Sequence, residues 1–496
     1  MSAEQQPRAV VIGSGFGGLA AAVRLGARGY RVTVLERRDR PGGRAYVYEQ
    51  DGFTFDGGPT VITAPHLFEE LWQLAGRELS QDVTLKPVDP FYRIRFHDGS
   101  IFDYTGDAER MRKEVAKFSE ADVEGYERFV ELTERIFEVG YQQLGDMPFH
   151  NWTVMARIVP NMLRLRSYRT VYGLVSSFVR DPRLRQVLSF HPLLVGGNPL
   201  STTSIYALIH YLERRWGVHF PLGGTGALVR GLVKLIEEHQ GGSVRCSQEV
   251  RQIQVEGNRA VGVELANGER LPADIVVSNA DVCWTYRNLL PNGVRRRWSD
   301  KKIERAKHSM GLFVWYFGTR RKYPDVQHHT ILLGPRYEGL LQDIFDNQRL
   351  ADDFSLYLHR PTQTDPSLAP EGCDGFYVLS PVPHLDSGVD WSTAAEPYRK
   401  AIAEHLSNTV LPGLEDELVT SRLLTPADFR DVLLAERGSA FSLQPILTQS
   451  AYFRPHNRSD EIEGLYLVGA GTHPGAGVPG VLTSAKVLDH VVPAAA

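Results

Sequence analysis

The sequence is poor in cysteine: Cys246, Cys283 and Cys373 stand alone among 496 residues, with no Cys-x-x-Cys pair. That argues against a disulfide framework and a zinc site, and it suits a reducing cytoplasm. The three thiols read as small buried hydrophobes, and no metal site is expected. No stretch reaches the roughly 18 to 20 uncharged apolar residues a membrane-crossing helix needs, so any membrane contact is expected to be peripheral. Residues 2–7 are short and polar, without a basic-then-apolar leader pattern, and are expected to run straight into a strand. A net charge of only -4 offers no overall electrostatic reason for a nucleic-acid partner. There is no low-complexity tract, and 42% hydrophobic residues is the composition of a globular protein. Its length exceeds one ordinary core, so two or three subdomains are expected.

What the chain does have is glycine, 46 residues of it, clustered in three places. Residues 8–12 read as a short buried strand. The loop Gly13-Ser14-Gly15-Phe16-Gly17-Gly18 follows, then a helical run over 19–28 closed by Gly29. A second buried strand over 31–35 ends on Glu36. Gly13 makes the turn off the strand, Gly15 lets backbone approach a pyrophosphate, and Gly18 lets the helix pack on the sheet. The helix N-terminus offers free N–H groups to phosphate. Glu36 is placed to accept hydrogen bonds from an adenosine ribose and to disfavour a 2′-phosphate.

The run Pro41-Gly42-Gly43-Arg44 extends beyond anything a simple NAD dehydrogenase requires. It resembles the second phosphate-contacting turn of amine-oxidase-type flavoproteins, which implies FAD, with Gly43 and Arg44 on its flavin side. Strands over 45–49 and 53–55 are joined by an Asp51-Gly52 hairpin turn. Gly57 and Gly58 could then pass close to a flat ring; a plain turn is the alternative.

Nucleotide-domain features return over 221–278, with a helix over 227–239 and strands around 244, 250–255, 260–265 and 274–278. In the flavoproteins it resembles, the strand matching Val250 contacts adenine through its backbone. The third cluster follows a strand at 465–468 and spans 469–480, with a helical run over 481–491 behind it. Gly469, Gly471 and Val478 are expected to face the flavin's pyrimidine edge, where negative charge develops on reduction.

Residues 151–180 hold Arg157, Arg164, Arg166, Arg169 and Arg180 and no acidic residue, interleaved with Trp152, Met155, Leu163 and other apolar side chains. Pro160 is expected to prevent one uninterrupted helix. This composition suits the headgroup boundary of an anionic bilayer; a helical subdomain with solvated arginines is the alternative.

Three further stretches carry a specific resemblance: residues 42–63; residues 189–199 with 216–218; and Tyr466-Leu467-Val468-Gly469-Ala470-Gly471-Thr472-His473-Pro474-Gly475-Ala476-Gly477. Over residues 8–490 the chain resembles the bacterial-type phytoene desaturases, of the carotenoid desaturase family. Ala470 stands where many flavoproteins carry Asp, a substitution these desaturases share. The resemblance implies FAD-dependent insertion of double bonds into phytoene, giving neurosporene or lycopene, at the cytoplasmic face of a membrane. It implies an α/β fold with a Rossmann-type FAD domain of the amine-oxidase-like kind from residues 1–85, 221–285 and 455–496. A mixed α+β substrate domain would come from 86–140 and 286–454, and a helical, membrane-associating subdomain from 141–220.

Removing two hydrogens from an unactivated carbon pair needs a strong two-electron acceptor, which flavin provides. The expectation is hydride loss from an allylic carbon and proton loss from its neighbour, inside a dry apolar tunnel. His191, His210, His219 and His473 are candidate proton acceptors, each with a plain structural alternative. His473 and Arg157 are the two catalytic candidates carried forward. Oxygen or a membrane quinone would reoxidise the flavin, and no oligomeric state is implied. A carotenoid isomerase, an amine oxidase and a non-enzymatic lipid-binding relative are the competing readings. No aromatic cage or flavin-facing lysine supports the amine oxidase.

Overall fold

The strand Arg8–Ile12 lies at the centre of a five-stranded sheet, and the glycine loop leaves its C-terminal end. In space the order is Leu465–Leu467, Ile275–Ser278, Arg8–Ile12, Arg31–Leu35, Ser243–Arg245, all parallel. The computed structural model describes residues 6–495; of the polar start only Gln6 and Pro7 are among them, and residues 1–5 and 496 lie outside.

Parallel strands covered on both faces read as unbroken apolar runs. Alternate residues of the central strand show why. Ala9 and Val11 belong to one core with the helices, whereas Val10 and Ile12 belong to a second core on the opposite face. The helix behind the loop spans Phe16–Ala27, three residues earlier than expected, because Gly17 and Gly18 are themselves helical. Gly29, with φ +90°, ends it as anticipated.

The hairpin Val47–Gln50/Phe53–Asp56 turns through Asp51 and Gly52, both at positive φ as a type I′ turn requires. The predicted 227–239 helix forms as Thr225–Lys234 continued by a π-turn, Leu235–His239. The predicted C-terminal helix divides into Val478–Lys486 and Leu488–Val491.

A seven-stranded sheet forms the second layer, in the order Leu418–Leu424, Gly311–Thr319, Asp374–Val382, Leu356–His359, His329–Leu333, Tyr92–Phe96, Ile101–Tyr104. Its pairs are antiparallel except His329–Leu333 with Tyr92–Phe96. Strand Gly311–Thr319 is buried along its whole length. Phe313, Trp315 and Phe317 pack toward the helix Trp391–Thr409, and Leu312, Val314 and Tyr316 toward the larger core on the other side.

Helices Val123–Phe137, Pro182–Ser189 and Leu208–Trp216 cover that larger core, and Trp152–Arg164 packs its Met155 and Ile158 on a small separate cluster with Phe149. Pro160 does not break its helix, contrary to expectation. It sits on the exposed side, where water satisfies the carbonyl that loses its N–H partner, and the break comes after Arg164. Among the described residues no helix is long and apolar enough to cross a membrane.

Candidate functional site

A cavity of about 590 Å³ runs from the C-terminal ends of the parallel strands into the space between the two layers. Open α/β sheets bind ligands at that edge. Gly13, Gly15, Glu36, Gly43, Arg44, Gly58, Val250, Gly469, His473 and Val478 all line it.

The glycine loop is held by Glu36. Its Oε2 accepts from the Ser14 N–H at 3.0 Å and from Ser14 Oγ at 2.6 Å, while Oε1 accepts from the Arg38 N–H at 2.9 Å. A carboxylate has about four lone-pair sites, so one stays free for a ligand hydroxyl. The Gly42 N–H donates to the Ser14 carbonyl at 3.1 Å, which brings the Gly43 turn against the loop. A Cβ on Gly43 would come 3.1 Å from the Gly15 Cα.

Gly18 and Gly471 do not line the cavity. A Cβ on Gly18 would sit 2.0 Å from the Gly13 carbonyl oxygen, so its role is helix–strand packing, as read from the sequence. Gly471 was expected at the flavin edge. It faces Val282 instead, whose Cγ1 would be 2.4 Å from a Cβ there.

Arg44 donates from Nε to the Ala440 carbonyl at 2.8 Å. Its terminal nitrogens have no acceptor among the described residues. Burial lowers its pKa, and the Asp281 carboxylate only partly offsets that. Burial raises the Asp281 pKa, and its Oδ2 is buried without a partner. A half-buried guanidinium whose terminal nitrogens lack acceptors, beside a glycine cradle, fits an anionic dinucleotide such as FAD.

Farther along, Gly57 and Gly58 carry their carbonyls past the cavity, accepting from Tyr316 Oη at 2.6 Å and Tyr377 Oη at 3.2 Å. Beyond them the walls become apolar: Leu193, Leu208, Leu212, Met310, Val314, Ile331, Leu379 and Phe429. Met155, Ile158 and Met162, one face of the helix Trp152–Arg164, line it too. Arg157 falls on the opposite, exposed face, so the structure takes it out of the substrate channel.

Of the four candidate histidines only His473 lines the cavity. Its Nε2 lies 3.2 Å from the Leu144 carbonyl, Nδ1 is buried without a partner, and burial lowers its pKa to about 4. His191 is bonded to Glu213 at 3.2 Å, and His210 to Tyr104, in a buried polar network that reaches the chamber wall only through Glu213.

Sequence reasoning missed Asn279 and Arg454. Asn279 follows the strand Ile275–Ser278 and is enclosed by Gly13, Gly15, Gly17, Gly18 and Gly469. Arg454 is buried and donates to the Leu443, Gln449, Ala470 and Thr472 carbonyls, pinning the C-terminal loop. Only its carbonyl-rich surroundings reveal that task, and no motif announces it.

Residues 16–487 match the family described as flavin containing amine oxidoreductase. The chain is 51% identical over 477 residues to the lycopene-forming phytoene desaturase of Pantoea ananas, covering 96% of this chain and 97% of that one. It is 50% identical over 496 residues to the neurosporene-forming phytoene desaturase of Cereibacter sphaeroides, covering 99% and 95%. Among solved structures it is similar to an oxidoreductase from Methanosarcina mazei, with TM-score 0.66, 18% identity and coverage of 97% and 100%. A putrescine oxidase redesigned for cofactor binding gives TM-score 0.67 at 15% identity, covering 98% and 99%. At those identities the two structures share its fold.

Proposed function

The chain belongs to the family of flavin-containing amine oxidoreductases, and within it we propose that this protein desaturates phytoene through successive two-electron dehydrogenations to neurosporene or lycopene. It is an FAD-dependent oxidoreductase of carotenoid biosynthesis acting on CH–CH bonds of a lipid-soluble polyene. The observation that carries this reading is one continuous cavity joining a dinucleotide cradle to an apolar chamber.

Bound FAD supplies the two-electron acceptor that no side chain can provide. The loop N–H groups and the Arg44 guanidinium would hold its phosphates, Glu36 its ribose, and Val250 the adenine end, with Gly58, Gly469 and Val478 bordering the flavin end. The apolar walls exclude water and hold an allylic carbon in place, which lowers the entropic part of the barrier. A cation developing on a polyene is delocalised and sheds its neighbouring proton readily, so the chain needs no strong base.

The three nucleotide segments (1–85, 221–285 and 455–496) work as one unit, and 86–140 with 286–454 as the substrate unit. Segment 141–220 docks on the cytoplasmic face of the membrane. Trp152, Leu163 and Tyr168 are 56%, 61% and 59% exposed there, and Leu447 and Phe453 are exposed nearby. Among the described residues Arg157, Arg164, Arg166, Arg169 and Arg180 make no ion pair, whereas Arg183 of the same segment pairs with Asp98 and Asp181. Because the inner face of the same helix lines the cavity, polyene passes from lipid to chamber along it. Oxygen or a membrane quinone then accepts the electrons.

The test supplies phytoene in liposomes to FAD-loaded protein and follows products by absorption and chromatography, with and without oxygen. Lengthened conjugation is the expected result. A colourless extract overturns the reading.

A further inference from the structure

His328, His329 and His359 meet inside the substrate sheet, fully buried, with one nitrogen of each within 4.8 Å of the others. His329 and His359 are cross-strand partners, and His328 enters across their rings.

The proton positions follow from one carbonyl. Gly58 O only accepts, so Tyr377 Oη donates to it. Thr60 Oγ1, 2.7 Å from Tyr377 Oη, must then donate to the tyrosine. Tyr357 Oη in turn donates to Thr60, 3.3 Å away. In that arrangement Tyr357 accepts from His329 Nδ1 at 2.6 Å, and His329 Nε2 carries the ring's lone pair. That atom is buried with no partner, which is unfavourable unless something binds it.

His328 Nε2 and His359 Nε2 are 3.1 Å apart. Two nitrogens on one tetrahedral zinc-like ion, each about 2.0–2.1 Å from it, lie about 3.3 Å apart. His328 Nδ1 reaches Thr364 Oγ1 at 2.7 Å, and His329 Nδ1 reaches Tyr357. These are the outer hydrogen bonds that orient metal-bound imidazoles. The nearest cation, Arg360, is tied to Asp374 at 2.9 Å.

We propose that His328, His329 and His359 bind one divalent transition cation of the zinc, cobalt or nickel kind. Imidazole ligands without a carboxylate favour these ions over magnesium or calcium. The ion would anchor the hydrogen-bond chain that ends on the Gly58 carbonyl at the cavity wall.

The test uses untagged, FAD-loaded protein. Its zinc content is measured, the metal is then removed with chelator, and Co2+ is titrated in. One equivalent of zinc, and visible Co2+ bands beyond the flavin absorption that saturate at one equivalent, are expected. His329→Gln and His359→Gln should each weaken metal binding at least tenfold with FAD stoichiometry unchanged. The unmodified protein's Co2+ titration decides the matter if either variant fails to fold. Metal-free protein that gives no Co2+ bands overturns the proposal, and so does undiminished metal in both variants.

Discussion

His473 Nε2 lies 3.2 Å from the Leu144 carbonyl oxygen, and because a carbonyl only accepts, that nitrogen carries the ring proton. Nδ1 is then the basic atom, but a pKa of about 4 makes it a weak proton acceptor at neutral pH. His473→Gln should lower kcat less than about tenfold, well short of the 10²–10⁴ a matched base contributes. Single-turnover kinetics measures it; a loss above a hundredfold would make His473 the base.

Arg44 should matter through binding. Charge-assisted hydrogen bonds are worth about 1.5–3 kcal/mol, so Arg44→Met should weaken FAD binding by roughly tenfold to a hundredfold. Fluorescence titration of the apoprotein with FAD reads this directly. Equal affinity would remove Arg44 from the phosphate site.

Gly18→Ala tests the helix–strand contact. The new methyl would lie 2.0 Å from the Gly13 carbonyl oxygen, a backbone atom with no slack. Overpacking of this kind costs about 1–3 kcal/mol. A lower melting temperature and substoichiometric FAD are expected, and wild-type values for both would contradict the packing role.

Changing Arg157, Arg164, Arg166, Arg169 and Arg180 together to Gln should abolish binding to anionic liposomes, since each basic residue near such a surface adds about 1 kcal/mol. Turnover of detergent-dispersed phytoene should persist, because none of the five lines the cavity. Unchanged sedimentation with liposomes would remove the membrane proposal.

Stability should fall with acid. Burial lowers the pKa of His473 to about 4 and of His308 to about 3, against about 6.5 unfolded. Below pH 6.5 the unfolded chain therefore binds protons the folded one refuses. Their contribution is complete above about pH 6.5 and is lost as pH drops toward 4. Calorimetry across this range should show a flatter pH slope for His308→Gln.

Local chemistry made much of this molecule legible before its structure. The Gly13–Gly18 loop, the Asp51-Gly52 turn and the Glu36 strand end each obey a short-range rule, and each formed as read. Arg157 misled because composition places arginines in a segment but not on a face; Met155, Ile158 and Met162 show which face turned inward. Gly471 sits in a glycine-rich run whose members look alike until Val282 packs against one of them. The histidine cluster stayed hidden because His328-His329 and His359 are brought together only by strand pairing, His329 and His359 being 30 positions apart.

The parallel sheet takes its first strand from Arg8–Ile12 and its last from Leu465–Leu467. At a synthesis rate of about 5–20 residues per second, roughly half a minute to a minute and a half separates their emergence from the ribosome. Until then the Ile275–Ser278 strand has a bare edge and the Gly469 wall of the cradle does not exist. FAD capture thus waits for the Leu465–Leu467 strand, and a chain truncated before Leu465 should accumulate as a flavin-free, aggregation-prone intermediate rather than a shortened enzyme.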